Sequence, residues 1–255
     1  MDKAIKTVYA APQGAYRTRY LKNIEVTPDR ARVLSRLGFS SGRTEMDAAQ
    51  NELLEECLNT GKAVCRLAGA YRYIKVLKGE ITEDSEQVTQ KKQTTHEEQT
   101  AHKGQVFNAE HSEEGSLELE NGIRLYSADL VDFLGGCPEI LFMAATAGSE
   151  IIELINNELM HGNKAKAVIL DSVASQTADA ALDVITDMLN RVLALKGEKL
   201  TRRRYSPGYG DLDLSYQKTI YELLDLEKIG ISINKMYMLQ PEKSVAAIAG
   251  VLRAR

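Results

Sequence analysis

The residues best suited to chemistry are gathered in one stretch, Arg202-Arg203-Arg204-Tyr205-Ser206-Pro207-Gly208-Tyr209-Gly210-Asp211. Pro207 and the two glycines do not extend a helix, so the stretch reads as a turned loop fixed between two rigid elements. Glycine lets the backbone come close to a ligand and expose its N–H groups there. Arg204 offers a planar fork matched to a carboxylate, and Tyr209 adds an aromatic plane with a hydroxyl at its edge. That set suits a small zwitterionic ligand. On spacing alone the same residues also describe a surface turn whose basic cluster pairs with Asp or Glu.

The loop needs scaffolding on both sides. Before it, Leu182, Ile185, Met188, Leu189, Val192 and Leu193 repeat at helical spacing, which predicts a long helix starting at Ser175 or Thr177. After it, a helix is expected from Ser215 to Gly230. Upstream, the apolar runs Ile140–Ala144 and Ala167–Leu170 read as buried strands around a helix at 149–160. The turn Thr146-Ala147-Gly148-Ser149 lacks a full phosphate-loop pattern and reads as a helix cap. Leu117–Leu125 alternates on both sides of Asn121-Gly122, a strong hairpin signal. Ser127 is placed to cap a short helix ending at Gly135-Gly136, and residues 64–77 read as strand. Thr27-Pro28 and Thr44-x-x-Asp47 are expected to open two helices that stop at Gly38 and Gly61. Met236 and Met238 alternate as core positions of a late strand. Strands, hairpins and helices together predict an α+β (mixed α/β) fold, a twisted, largely antiparallel sheet with packed helices.

Composition bounds the function. The chain has 255 residues, 44% hydrophobic and 27% charged, with a net charge of −4. That is the balance of a soluble globular protein, and the mild acidity argues against a general nucleic-acid binder. No run reaches the ~18 apolar residues of a membrane span, and Met1–Lys6 lacks a signal-peptide core, so a cytoplasmic location is expected. Cys57, Cys65 and Cys137 are too few for an iron–sulfur cluster and lack zinc-type spacing, so they read as small buried hydrophobes and no metal is expected. Residues 1–26 read as an N-terminal arm or edge strand, and 27–255 as the main domain. Within it, 79–115 reads as a polar, mobile insertion, where His96, His102 and His111 are widely spaced loop residues rather than metal ligands.

Arg204-x-x-x-Gly208-Tyr209, within Tyr-Ser-Pro-Gly-Tyr-Gly-Asp, resembles the S-adenosylmethionine-binding motif of the activation domain of cobalamin-dependent methionine synthase. Four further segments resemble the family in order: Arg32–Gly38, Leu141–Gly148 with Asp171–Ser175, Thr219–Gly230, and Met238–Val245 with its Pro-x-x-Ser-Val turn. Several of these fit the stand-alone version found as a separate small protein. The resemblance spans about 27–255 apart from the polar insertion.

The resemblance implies a reactivation subunit. A corrinoid carried by a partner methionine synthase subunit is occasionally oxidised to Co(II). An external donor such as a flavodoxin-like protein returns an electron, and irreversible methylation from S-adenosylmethionine draws the uphill reduction forward. The chain's own task is then to hold the sulfonium methyl over the cobalt, as one component of a methyltransferase. Residue by residue, Arg204 would bind the ligand carboxylate, Ser206 and Gly208 would approach it with backbone, and Tyr209 would face the corrin. Asp179 falls where the family has glutamate, although an acid near a helix start also serves the dipole. Ala249 and Gly250 replace two aromatic contacts and leave backbone alone, while Asp29 and Asp47 are candidates for the family's amine-binding aspartate. An alternative is a non-catalytic binding or assembly protein for a corrinoid methyltransferase. An unrelated methyltransferase on a nucleotide-binding scaffold would want a glycine-rich loop after its first strand, which the sequence lacks.

Overall fold

The computed structural model describes residues 17–39, 46–81 and 115–253. In chain order the elements are β1 (Arg19–Lys22), α1 (Arg30–Arg36), α2 (Ala48–Val64), β2 (Ala68–Ile81), β3 (Gly115–Leu119), β4 (Arg124–Tyr126), α3 (Ala128–Leu134) and β5 (Glu139–Thr146). Then follow α4 (Glu150–Met160), α5 (Lys164–Ala194), β6 (Glu198–Leu200), α6 (Tyr216–Leu224), a 3-10 turn (Leu226–Ile229), β7 (Ser232–Ile233), β8 (Leu239–Gln240) and β9 (Ser244–Arg253). The main sheet runs β4-β3-β2-β5-β9-β6, with β1 on the first residues of β2, and every pairing is antiparallel. The expected α+β class, with an antiparallel sheet and packed helices, is the one found.

A central strand covered on both faces must be apolar throughout, and β5 is buried from Ile140 to Thr146. Leu141, Met143 and Ala145 point to one face, packed with α1, α2, α4 and α5 through Val33, Leu54, Ile151 and Leu182. Ile140, Phe142 and Ala144 point to the other, packed with α3 and α6 through Leu130 and Leu224. Strand β9 is split in the same way, Ala247 and Ala249 toward α5 and Ala246 and Ile248 toward α6.

Several local expectations are corrected. Residues 167–170 are not a strand but the first turns of α5, where Ala167 and Leu170 are buried three apart while Val168 faces out. A short apolar run fits either element, and here the helical period prevails. Ser175 and Thr177 are not caps: inside α5 they donate to the carbonyls of Asp171 and Val173, four residues back. Asp179 is therefore mid-helix, where no dipole role exists. The cap of α1 is Asp29, not Thr27, and the capping box of α2 is Asp47 with Gln50 rather than Thr44 with Asp47. The α2 helix runs past Gly61 to Val64. The helix after the loop ends at Leu224 with Asp225 in the left-handed region, and the 3-10 turn then reaches Gly230. Met236 and Met238 are exposed at a hairpin tip, not core.

Ser127 and Gly135 cap α3, and β3 and β4 form the Asn-Gly hairpin, both as expected. Strand β2 covers 68–81 rather than 64–77, so Gly79 pairs with Leu117 inside the sheet. Residues 82–114 of the predicted insertion, including its three histidines, and residues 1–16 of the predicted arm lie outside the described residues. Residues 19–22 of that arm form the edge strand β1.

Candidate functional site

Strand β6 delivers the chain to the loop along β9. The Thr201 N–H donates to the Gly250 carbonyl at 2.8 Å, and the Gly250 N–H donates to Thr201 Oγ1 at 3.1 Å. Tyr205 then exchanges both backbone bonds with Ile248, at 2.8 and 2.7 Å. Arg202, Arg203 and Arg204 thus stand opposite Ala249 alone, and a bulge of that kind throws the extra residues off the ladder. Arg202 and Arg203 are exposed. Arg204 folds back onto α5: its Nη1 donates to Asp183 Oδ1 at 2.7 Å and approaches Thr186 Oγ1 at 3.5 Å. Its side chain stays 25% exposed. Among the described residues neither Nε nor Nη2 of Arg204 has a hydrogen-bond partner.

Asp183 is shared. Its Oδ2 accepts from Arg32 Nη1 on α1 at 2.8 Å. Burial pushes its carboxyl up, but the hydrogen bonds from Arg32 and Arg204 outweigh that and hold it below the usual carboxylate value. One turn earlier on the same face of α5, Asp179 pairs with Arg36 of α1.

The second half of the loop is tied to α3. Asp211 accepts from the Ala128 and Asp129 N–H groups at 2.7 and 3.3 Å and pairs with the Ser127 hydroxyl, so it covers the start of that helix. The Tyr205 ring rests 5.5 Å from Phe133, and its hydroxyl donates to the Tyr209 carbonyl at 3.2 Å. The Gly208 N–H donates to the Leu212 carbonyl at 2.8 Å. Gly208 sits at φ +90, a left-handed conformation open to glycine. Gly210 also has positive φ, and a Cβ there would lie 2.2 Å from the Tyr205 hydroxyl. Burial, together with Asp129 and Asp211, raises the Tyr205 phenol above its usual value. The result is a loop pinned by these contacts that leaves Tyr209 70% exposed.

The structure therefore places Arg204, Ser206, Gly208 and Tyr209 on one loop and Asp179 on the adjoining helix face. Ala249 and Gly250 lie beside the bulge and are buried. Both backbone groups of Gly250 are taken by Thr201, and a Cβ there would meet Cys137 Sγ at 2.4 Å, on the far side of the sheet from α5. Asp29 and Asp47 are both occupied as helix caps. Sequence reasoning missed Asp183, Thr186 and Arg32. The available signal was the spacing of Asp179 and Asp183, four apart, which puts both carboxylates on one helix face.

A cleft of about 320 Å³ is lined by Lys22, Arg66, Thr146, Gly148 and Lys228, and another of about 250 Å³ by Val76, Leu117, Val131 and Cys137. Neither borders Arg204. Among the described residues no group of three or more His, Cys, Asp or Glu is placed to hold a metal, and no helix is long and apolar enough to cross a membrane.

No protein-family profile and no curated protein sequence matches the chain. Among solved structures it is similar to the MetH reactivation domain bound to AdoHcy, with a TM-score of 0.60. Sequence identity is 15%, over 94% of this chain and 81% of that one. At such identity the likeness is one of architecture: this chain has the mixed α/β fold of the MetH reactivation domain.

Proposed function

We propose that this chain binds S-adenosylmethionine at the Arg204–Tyr209 loop and presents its methyl group for reductive methylation of a corrinoid carried by a partner methionine synthase subunit. The observation that carries the reading is the fixed Arg204 guanidinium with one free edge, beside the pinned glycine loop. A carboxylate on that edge gains two charge-assisted hydrogen bonds. The solved neighbour supports the ligand class, since AdoHcy is S-adenosylmethionine without its sulfonium methyl. Bound corrinoid would supply the methyl-accepting metal. The chain itself would orient the sulfonium, and the exposed Tyr209 would help keep water from the space between. The electron would come from a separate donor such as a flavodoxin-like protein, and the setting would be cytoplasmic. Residues 27–255 would act as one domain, with 82–114 as a polar insertion and with part of the 1–26 arm joined to its sheet as β1.

Isothermal titration with S-adenosylmethionine tests the binding. Arg204→Ala should weaken it by about 10- to 100-fold, the worth of one charge-assisted pair. No heat with wild type, or equal affinity for the variant, overturns the reading. A second reading is a binding or assembly protein for the same corrinoid partner. It is favoured by the buried Ala249 and Gly250, which sit within the sheet, offer no aromatic contact for an adenosyl group, and at Gly250 have N–H and carbonyl both bonded to Thr201. Absorbance decides between the two: conversion of the partner's cob(II)alamin to methylcobalamin, given reductant, requires the first.

A further inference from the structure

We infer that Asp183 is a positioning residue that sets which edge of Arg204 meets the ligand, and that Arg32 holds Asp183 in that task. The inference rests on the function proposed above and adds the means by which the site selects a ligand with a carboxylate tail.

A guanidinium can meet a carboxylate side-on through Nε and Nη2, or end-on through its two terminal nitrogens. In Arg204 the two Nη1 protons are directed to Asp183 Oδ1 and Thr186 Oγ1, three residues apart on one turn of α5. End-on capture would require breaking that hold. The side-on edge remains, and it carries no partner among the described residues. Asp183 would by itself be drawn to that edge, because a bidentate pair is stronger than a single bond. Arg32 prevents it. Its Nη1 holds Asp183 Oδ2 at 2.8 Å, so the carboxylate is divided between two guanidinium groups, one oxygen to each. Arg32 is in turn fixed by α1, which the buried Gln176 and Ser172 of α5 hold through the Asp29 N–H at 3.0 Å and the Val33 carbonyl at 3.1 Å. The relay Arg32–Asp183–Arg204 thus presents a preorganised side-on edge, and preorganisation of that kind lowers the cost of binding.

The test is titration of the full-length chain with S-adenosylmethionine and with its decarboxylated analogue, which keeps the sulfonium and amine. Asp183→Asn should weaken S-adenosylmethionine about tenfold and leave the analogue unchanged. In an Arg204→Ala background the same substitution should add nothing. Equal losses for both ligands, no loss for either, or an undiminished loss without Arg204 overturns the inference. Should Asp183→Asn fail to fold, Arg32→Met keeps the carboxylate but frees it to chelate Arg204. That variant should show a smaller loss, again confined to the ligand with a carboxylate, and no such loss is equally fatal. If wild type binds S-adenosylmethionine and these variants do not discriminate, the inference alone falls. If wild type does not bind it, the proposed function falls and carries the inference with it.

Discussion

Asp183 answers to two opposing influences, and their balance has a sign that can be measured. Burial raises its pKa while hydrogen bonds from Arg32 and Arg204 lower it, and the folded value ends below the ordinary one. A depressed carboxyl contributes stability that is complete above its unfolded pKa of about 4 and is lost as pH falls through the lower folded value. The melting-temperature gap between wild type and Asp183→Asn should therefore be widest near neutrality and close below about pH 4. A gap that stays constant from pH 7 to 2 would mean the arginines do not hold the carboxylate. Arg204 was legible in the sequence because its neighbours, Pro207 and Gly208, announce a turn whatever the rest of the chain does. Its partner was not. Asp183 meets Arg204 because α5 and the β9 edge are packed together, and no local pattern encodes that meeting.

Helix α2 shows how packing reverses a local rule. A glycine at position 61 reads as a stop, yet the helix continues to Val64 because the missing Cβ lets α2 settle on α5. A Cβ at Gly61 would lie 2.3 Å from Val173 Cγ1. In an exposed helix, replacing glycine by alanine stabilises by up to about 1 kcal/mol. Here overpacking, at about 1–3 kcal/mol, should win. Gly61→Ala is thus expected to lower the urea midpoint, and adding Val173→Ala should recover part of the loss. A stabilised single variant would show that α2 and α5 are not in close contact. The elements read correctly from sequence, such as α3 and the β3–β4 hairpin, are those whose ends carry their own signals: Ser127 and Gly135 for one, Asn121-Gly122 for the other. The 167–170 run carried no end signal, so its identity was settled by what it packs against: α5 needed Ala167 and Leu170 on its buried stripe.

One sheet serves two cores, and this governs how the protein comes apart. Residues of β5 and β9 alternate between the faces, so neither core can lose its packing while the other keeps a complete wall. Such sharing was visible early in the uninterrupted apolar run at 140–144, which already required cover on both sides. The order of strands was not, since β9 inserts between β5 and β6 from the far end of the chain. Leu182 in one core is 1% exposed and Leu130 in the other is fully buried. Each truncation to alanine should cost about 2–5 kcal/mol. Because the two sites lie on opposite faces and share no side-chain contact network, the costs should add to within about 0.5 kcal/mol in the double variant. Far-UV dichroism, which reports the helices, and tyrosine fluorescence should then trace one urea transition that moves with either substitution. If Leu182→Ala shifts one probe and Leu130→Ala the other, the faces unfold separately. The sheet would then be a boundary between two units rather than the wall that joins them.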